Sequence, residues 1–173
     1  MNIFVLSLDA WLAGQMVCDS HSIKMPVESA QMMAAGLIHH GAQPHEMPLT
    51  KKGTPYAGGY AHHPNTVWAY QTRSNFLWLA EHGLSLCDTY TRRYGRTHAC
   101  EQAIAHMKDM AHMIPDGPLT PFAQSMPDEF RSTNPVDAYR TYYMTEKSRF
   151  AKWEKGVPAP EWWNPPHIGG TTA

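Results

Sequence analysis

The sequence is short of cysteine, of net charge and of long apolar runs, and each shortage excludes a class of protein. Its three cysteines lack CxxC spacing, so neither a disulfide framework nor a cysteine-bound metal is expected. Polar residues such as Gln15 and Asp19 interrupt the apolar stretches, which excludes a membrane span. Residues 1–8 lack the charged start and long apolar run of a signal peptide, so we expect a cytoplasmic protein without a membrane partner.

Length and composition indicate one domain with a sizeable core, because the chain has 173 residues of which 43% are hydrophobic. A net charge of -1 gives no bulk attraction for nucleic acid. Basic residues are nevertheless concentrated in 92–98 and 140–155. Such patches can hold a phosphate backbone, although each alone is also typical of an ordinary helix end.

Proline and glycine divide the chain into helices and long loops. Helices are predicted from Asp9 to Val17, from Ser20 to about Ile38, from Pro64 to Gly95 with a break near Ser74, from about Ala99 to Met113, and from Pro135 to about Trp153. Residues 2–8 are predicted to form a brief strand or a buried extended arm. Pro26 is expected in the first turn of its helix, where its missing N–H is not needed.

This pattern predicts a mainly α fold: a compact single-domain helical protein with long Pro/Gly-rich loops and a short extended N-terminal segment. The helical domain is expected to cover residues 1–157. Residues 158–173, which are rich in proline and tryptophan, are predicted to form an irregular tail that wraps the body through its aromatic side chains.

Four polar residues form a stripe on the second predicted helix. His21, Lys24, Glu28 and Gln31 stand at i, i+3, i+7 and i+10, and Asp19 precedes them. An acid, a base and an amine on one face suit proton transfer or attack by an amine, so Asp19, His21, Lys24 and Glu28 are catalytic candidates and Gln31 is a substrate-binding candidate. The alternative is a solvated face with a Lys/Glu pair, but the intervening apolar residues are more typical of a core helix.

Eleven histidines raise the question of a metal site. None of them shows HExxH or other zinc spacing, so no metal and no cofactor are predicted. A site assembled in three dimensions from His21, Glu28, His63 and His98 stays open as an alternative, although scattered histidines are commoner.

Basic and aromatic residues alternate along the last predicted helix. Arg140, Tyr143 and Lys147 share a face at i, i+3 and i+7, where rings can stack on bases while cations meet phosphates. The remaining aromatic residues, Tyr139, Tyr142, Phe150 and Trp153, are expected to face the core. Further binding candidates lie elsewhere in the chain: His63, Asn75, Arg93, Arg96 and His98. Together they make DNA the predicted partner.

Several short sequence segments resemble those of a widespread family of short bacteriophage proteins. They are Cys18 to Met25 with Glu28, His63-Pro64, Tyr94-Gly95 with His98, Thr120 to Phe122 followed by Met126 to Glu129, and Tyr139-Arg140 with Tyr142-Tyr143. The resemblance spans most of the chain and implies a protein of the infected host cell.

The chain is also similar to phage pyrimidine-dimer DNA glycosylases of the endonuclease V type, which are small helical proteins. This resemblance implies that Glu28 is the catalytic carboxylate and that Tyr142-Tyr143 contacts DNA. In those enzymes the attacking group is the α-amine left when the initiator methionine is removed. Here Asn2 is a poor context for removal, so the amine of Met1 and the side chain of Lys24 are both candidate nucleophiles.

The leading hypothesis is therefore a phage DNA-processing enzyme, namely a DNA glycosylase or lyase acting on a damaged or modified base. The amine would attack C1′, Glu28 would stabilise the developing positive charge, and four residues would hold phosphates: Arg93, Arg96, Arg140 and Lys147. One alternative is a metal-dependent or acid–base enzyme acting on a nucleotide or small metabolite. The other is a non-catalytic phage protein that binds a host factor.

Overall fold

A computed structural model describes residues 1–166 of the chain, and it is mainly α, as the sequence predicts. Its six α-helices are α1 (Ala10–Gln15), α2 (Asp19–His39), α3 (Pro64–Gln71), α4 (Arg73–Tyr94), α5 (Glu101–Lys108) and α6 (Pro135–Glu146). Short 3₁₀ turns lie at Pro44–Glu46, Ala111–Met113 and Asp128–Phe130. Within these residues the only β pairing is an isolated bridge between Leu49 and Pro55.

Helix α4 is central, because it packs against α1, α2, α3 and α5. The contact with α1 is very close: a Cβ added at Gly14 would lie 2.6 Å from the Cβ of Ser85. The Gln15 side chain then donates to the Ser85 carbonyl at 3.1 Å and so fixes the same pair of helices. Helix α2 covers another side of α4 and carries the polar stripe.

The N-terminal segment is a buried extended arm rather than a strand, which confirms one of the two predicted forms. Residues 3–6 are almost entirely buried. Phe4 adopts a left-handed conformation at φ 58°, which is unusual for a residue with a large side chain. Its ring stacks on His21 of α2 at 4.9 Å between centroids and meets the edge of Tyr143 of α6 at 5.2 Å. The arm therefore joins α2 to α6.

The predicted position of Pro26 is wrong. Helix α2 begins at Asp19, so Pro26 lies inside it, beyond the first turn. A proline there removes one helical hydrogen bond. Packing offsets this loss, because Met25, Met32 and Met33 of the same helix are fully or almost fully buried in the core.

The last helix ends at Glu146, not near Trp153 as predicted. The reason is a tertiary contact: Asp19 N–H donates to the Lys152 carbonyl at 2.8 Å, and Glu154 N–H donates to Asp19 Oδ2 at 2.7 Å. These bonds hold residues 152–154 against the start of α2, where a continued helix could not place them.

Other predicted boundaries are closer to the structure. The long helix after His63 is interrupted at Thr72 and ends at Gly95, which has φ 70°. The helix predicted from Ala99 to Met113 is shorter, because only Glu101–Lys108 is α-helical and a 3₁₀ turn follows.

The first part of the tail packs on the body through Trp162 and Trp163, which contact the core cluster. The Arg140 guanidinium lies over the Trp162 ring, 5.2 Å from its centroid. Residues 167–173 of the predicted tail lie outside the described residues. Among the described helices, none combines the length and the apolar character needed to cross a bilayer.

Buried histidines make the fold sensitive to acid. His82 is fully buried against Trp78, neither ring nitrogen has a hydrogen-bond partner, and burial lowers its pKa from 6.5 to about 3. The unfolded imidazole binds a proton below about pH 6.5 while the folded one does not, so stability is lost as the pH falls from there toward 3.

We therefore expect His82→Phe to flatten this pH dependence by about 1.4 kcal/mol per pH unit between about pH 6 and pH 4. Urea unfolding at a series of pH values measures it. The exposed His62→Gln serves as the control, and an unchanged slope for His82→Phe would contradict the assignment.

Candidate active site

The Glu28 carboxylate is in contact with the start of the main chain. Asn2 N–H donates to Glu28 Oε1 at 3.0 Å, and the Met1 amino nitrogen lies 3.3 Å from the same oxygen. Glu28 is only 8% exposed. The Asn2 side chain donates to the Ser125 carbonyl at 2.8 Å and thereby fixes the arm. An acid and an amine are thus held together in a largely buried place.

Lys24 is the second amine of the site. Lys24 stands one helical turn before Glu28 on α2, and its Nζ lies 3.8 Å from Glu28 Oε2. Its side chain is nevertheless 70% exposed. A lysine nucleophile is activated by desolvation or by a neighbouring cation that favours the neutral amine. The solvent around Lys24 provides no desolvation, so the main-chain amine is the better placed of the two candidates.

His63 stands just before α3 and is half-buried. Its Nδ1 accepts a hydrogen bond from Asn65 N–H at 3.1 Å, so in the neutral ring the proton is on Nε2. Burial lowers the pKa of His63, the nearby N-terminal amine lowers it further, and Glu28 opposes the shift. His63 is therefore a neutral imidazole close to the amine and the carboxylate.

Two pockets meet at these groups, and Met1, Lys24 and Glu28 line both of them. The larger, here called the Tyr60 pocket, has a volume of about 380 Å³ and is completed by Ile23, Val27, Gln31 and Tyr60. The smaller, here called the Lys147 pocket, has a volume of about 120 Å³ and is completed by Asn2, Phe4, His21, Met25, Tyr142 and Lys147. The acid and the amine therefore stand between two differently lined spaces.

The Lys147 pocket carries positive charge. The Lys147 ammonium lies 5.7 Å from the ring centroid of Phe4 and 5.2 Å from that of Tyr142. Burial lowers the pKa of Lys147, and the nearby Arg149 and Lys24 add to the effect. A half-buried lysine beside a second lysine favours an anionic ligand, because such a ligand offsets both charges.

His21 provides a neutral donor to the same pocket. Burial, with Lys147 and Lys24 adding to it, lowers the pKa of His21 to about 3. The Tyr143 hydroxyl oxygen accepts from Cys18 N–H at 3.0 Å and lies 2.7 Å from His21 Nδ1. Burial raises the pKa of Tyr143, so the hydroxyl keeps its proton and donates it to Nδ1. The imidazole proton is then on Nε2.

Two predicted roles are corrected by an ion pair. Arg93 Nη1 donates to Asp19 Oδ1 at 3.1 Å, and Arg93 Nη2 donates to the Val17 carbonyl at 2.7 Å. Both side chains are buried, and neither lines the two pockets. Asp19 is therefore not placed for catalysis and Arg93 is not placed to hold a phosphate; the pair joins α4 to the start of α2.

Tyr143 and Asn75 are also corrected, because both are fully buried and cannot contact DNA. The Asn75 amide donates to the Trp68 carbonyl at 2.8 Å and to Thr120 Oγ1 at 2.7 Å, which is a structural role. Tyr142, which was expected to face the core, lines the Lys147 pocket instead. The two neighbouring tyrosines thus exchange their predicted positions.

Both ring nitrogens of His98 are hydrogen-bonded to backbone groups. Its Nε2 donates to the Ile23 carbonyl at 2.8 Å, and its Nδ1 accepts from Cys100 N–H at 3.0 Å. The set proposed for a metal, His21, Glu28, His63 and His98, is therefore not assembled. Within residues 1–166 no three His, Cys, Asp or Glu side chains are grouped so that they could hold an ion.

Arg96 and Arg140 lie apart from both pockets. Arg96 is exposed and donates through Nε to the Tyr90 hydroxyl at 2.8 Å. Arg140 is half-buried and donates through Nε to the Leu6 carbonyl at 2.8 Å. Neither side chain lines the space around Glu28.

Some site residues are not indicated by the sequence pattern. Ile23 and Val27 fit a core helix, yet they are 46% and 41% exposed and line the Tyr60 pocket with Gln31. Tyr60 and Phe4 both have positive φ without being glycine, a conformation that no residue signature marks. The Pro/Gly-rich loop of residues 41–59, before His63, is the sequence feature that points to this region, because loops of this length are often functional.

Fold and site together define a small helical protein whose first amine faces a buried glutamate. A family model described as pyrimidine dimer DNA glycosylase matches residues 1–102, more than half of the chain. The chain belongs to this family, which confirms the resemblance to pyrimidine-dimer glycosylases. Membership supports a DNA glycosylase-like activity on pyrimidine dimers and DNA as a partner. No curated protein and no solved structure matches the chain.

The ion pair of Asp19 and Arg93 yields a stability prediction. Asp19→Ala should lower the free energy of unfolding by about 3–5 kcal/mol, because it leaves the Arg93 guanidinium buried without its partner. Asp128→Ala removes the exposed partner of Arg131 and should cost less than about 1 kcal/mol. Urea denaturation measures both, and equal costs would contradict a structural role for Asp19.

Proposed function

We propose that the chain is a DNA glycosylase and lyase that uses its N-terminal amine to release a base from damaged DNA. The observation that carries this proposal is the contact of Glu28 Oε1 with the first two main-chain nitrogens, at 3.3 Å and 3.0 Å. Family membership supplies the substrate class, namely pyrimidine dimers. The resemblance to bacteriophage proteins suggests that the DNA repaired or modified is that of a phage.

The contact suits the chemistry whichever residue carries the α-amine. With Met1 in place, its amine is beside Glu28; if Met1 is removed, the Asn2 nitrogen that already bonds Glu28 becomes the amine. A buried carboxylate can accept a proton from the amine and offset positive charge at a reacting sugar. Lys24 remains beside the site as a cation.

In the proposed reaction the uncharged amine nitrogen attacks C1′ of the sugar. The N–C1′ bond forms while the C1′–base bond breaks. The base keeps the electron pair, takes up a proton and stays joined to its neighbour through the cyclobutane ring of the dimer. Glu28 offsets the positive charge that develops on the sugar and accepts the proton that the amine loses. Glu28 then returns this proton to O4′ as the C1′–O4′ bond breaks, which gives a protonated imine between C1′ and the amine. Loss of a C2′ proton to the Glu28 carboxylate and departure of the 3′ phosphate with the electron pair of its C3′–O bond then break the strand.

The Lys147 pocket is proposed to hold a phosphate of the attacked strand. Its volume of about 120 Å³ and its lining by Lys24, Lys147 and the His21 ring fit one compact anion. The position beside Glu28 is where the phosphate next to the attacked sugar would lie. Phosphate contacts of this kind position the substrate without reading its sequence.

Borohydride trapping tests the proposed function. Wild-type protein mixed with a duplex that contains one cyclobutane pyrimidine dimer should give a covalent adduct when borohydride reduces the imine. Glu28→Gln should slow adduct formation by about 100-fold or more, because general acid–base catalysis contributes that much. Lys24→Arg, which removes the lysine amine but keeps the positive charge beside the Lys147 pocket, should still form the adduct, because the amine of the main chain is unchanged.

The control variant is Glu81→Gln, which alters an exposed glutamate of α4 that pairs with Lys108. It should trap DNA at the wild-type rate. A folded wild-type protein that gives neither an adduct nor strand cleavage would refute the proposal. Loss of the adduct in Lys24→Arg, which keeps the charge, would move the nucleophile to the lysine.

A further inference from the structure

Tyr60 has an unusual conformation at the mouth of the larger pocket. Its backbone is left-handed at φ 57°, a conformation that costs a bulky residue free energy, and its side chain is 64% exposed. Its carbonyl accepts from His63 N–H at 3.0 Å, which closes the turn before α3. The exposed ring gains little from burial, so packing in the core does not account for the strain.

The loop that carries Tyr60 is held on α2. Gly58 has φ 75°, and a Cβ at this position would lie 2.6 Å from the Ala35 nitrogen and 2.8 Å from the Ala35 Cα. The backbone of the loop therefore touches the backbone of the helix, which only glycine permits. Gly59 continues along the helix toward the Gln31 side chain. Tyr60 is thus fixed relative to α2.

Two apolar residues that line the same pocket, Ile23 and Val27, are also exposed, at 46% and 41%. Ile23 and Val27 stand one turn apart on α2, and Gln31 occupies the next turn. Exposed apolar residues beside a fixed aromatic ring can pack on the faces of a pyrimidine ring, and the Gln31 amide can serve its polar edge as donor and as acceptor. Glu28 and Met1 line the same space.

We propose that the Tyr60 pocket is the nucleobase subsite and that Tyr60 is its stacking residue. The attacked pyrimidine, which is saturated at C5 and C6 and joined to its neighbour in the dimer, packs on the Tyr60 ring. It contacts Ile23 and Val27, and presents its hydrogen-bonding edge to the Gln31 amide. This inference rests on the proposed function. It places C1′ at the amine, with the base on one side and the phosphate in the Lys147 pocket on the other.

Two duplexes of the same sequence separate this role from the chemistry. One contains the pyrimidine dimer, and the other has an abasic site at the attacked position, so it offers the sugar and phosphates without a base. Tyr60→Ala should slow single-turnover borohydride trapping of the dimer duplex about 10-fold or more and leave trapping of the abasic duplex within about 2-fold of wild type. Tyr60→Phe, which keeps the ring, should resemble wild type on both.

Two further variants serve as controls. Trp11→Ala removes an exposed aromatic ring outside the pocket and should change neither rate. Tyr60→Gly should unfold at a urea concentration no lower than wild type, since glycine adopts positive φ freely, while it traps the dimer duplex as slowly as Tyr60→Ala. Slow trapping is then not a consequence of unfolding.

The outcomes are distinct. Equal slowing on both duplexes, or no slowing on either, would overturn the stacking role of Tyr60 while the proposed function stands. Trapping of the abasic duplex alone by wild type would overturn the base subsite and leave only a lyase. Trapping of neither duplex would refute the proposed function, and the pocket assignment with it.

Discussion

The contact between the buried Glu28 carboxylate and the first main-chain nitrogens is the interaction on which the site depends. A buried carboxylate is costly unless it is hydrogen-bonded, and here the donors come from the N-terminal arm. The arm is held in turn by the stacking of Phe4 on His21 and its edge contact with Tyr143. The packing of Phe4 between His21 of α2 and Tyr143 of α6 therefore helps to fix the distance between the acid and the amine.

Glu28 lies between two pockets that suit different parts of a nucleotide. The Tyr60 pocket combines the aromatic and aliphatic side chains of Tyr60, Ile23 and Val27 with polar ones, whereas the Lys147 pocket is small, mostly polar and lined by two lysines. A nucleotide has the same division, with a flat base on one side of the sugar and a phosphate on the other. The ion pair of Asp19 and Arg93 does not line either pocket, but it fixes the start of α2 and therefore the position of His21.

Much of the fold follows from the sequence, because capping residues and spacing act locally. Asp9 caps α1, Asn134 and Pro135 begin α6, and Gly95 ends α4. The stripe from His21 to Gln31 was likewise readable from helical periodicity. Contacts between residues distant in the chain could not be predicted in this way. The early end of α6 depends on hydrogen bonds between Asp19 and residues 152–154. The positions of Tyr142 and Tyr143, which are the reverse of those predicted, depend on where the N-terminal arm lies. The strained conformation of Tyr60 cannot be predicted from the sequence, because it depends on the contact of its loop with α2 at Gly58.

The central claim is that the α-amine beside Glu28 is the nucleophile, and the covalent adduct tests it most directly. Borohydride-reduced complexes of wild-type protein with dimer-containing DNA can be digested and mapped by mass spectrometry. The account predicts that the sugar remnant is attached to the α-nitrogen of the first residue of the mature chain, whether that is Met1 or Asn2. Attachment to the side chain of Lys24 or Lys147 would contradict it.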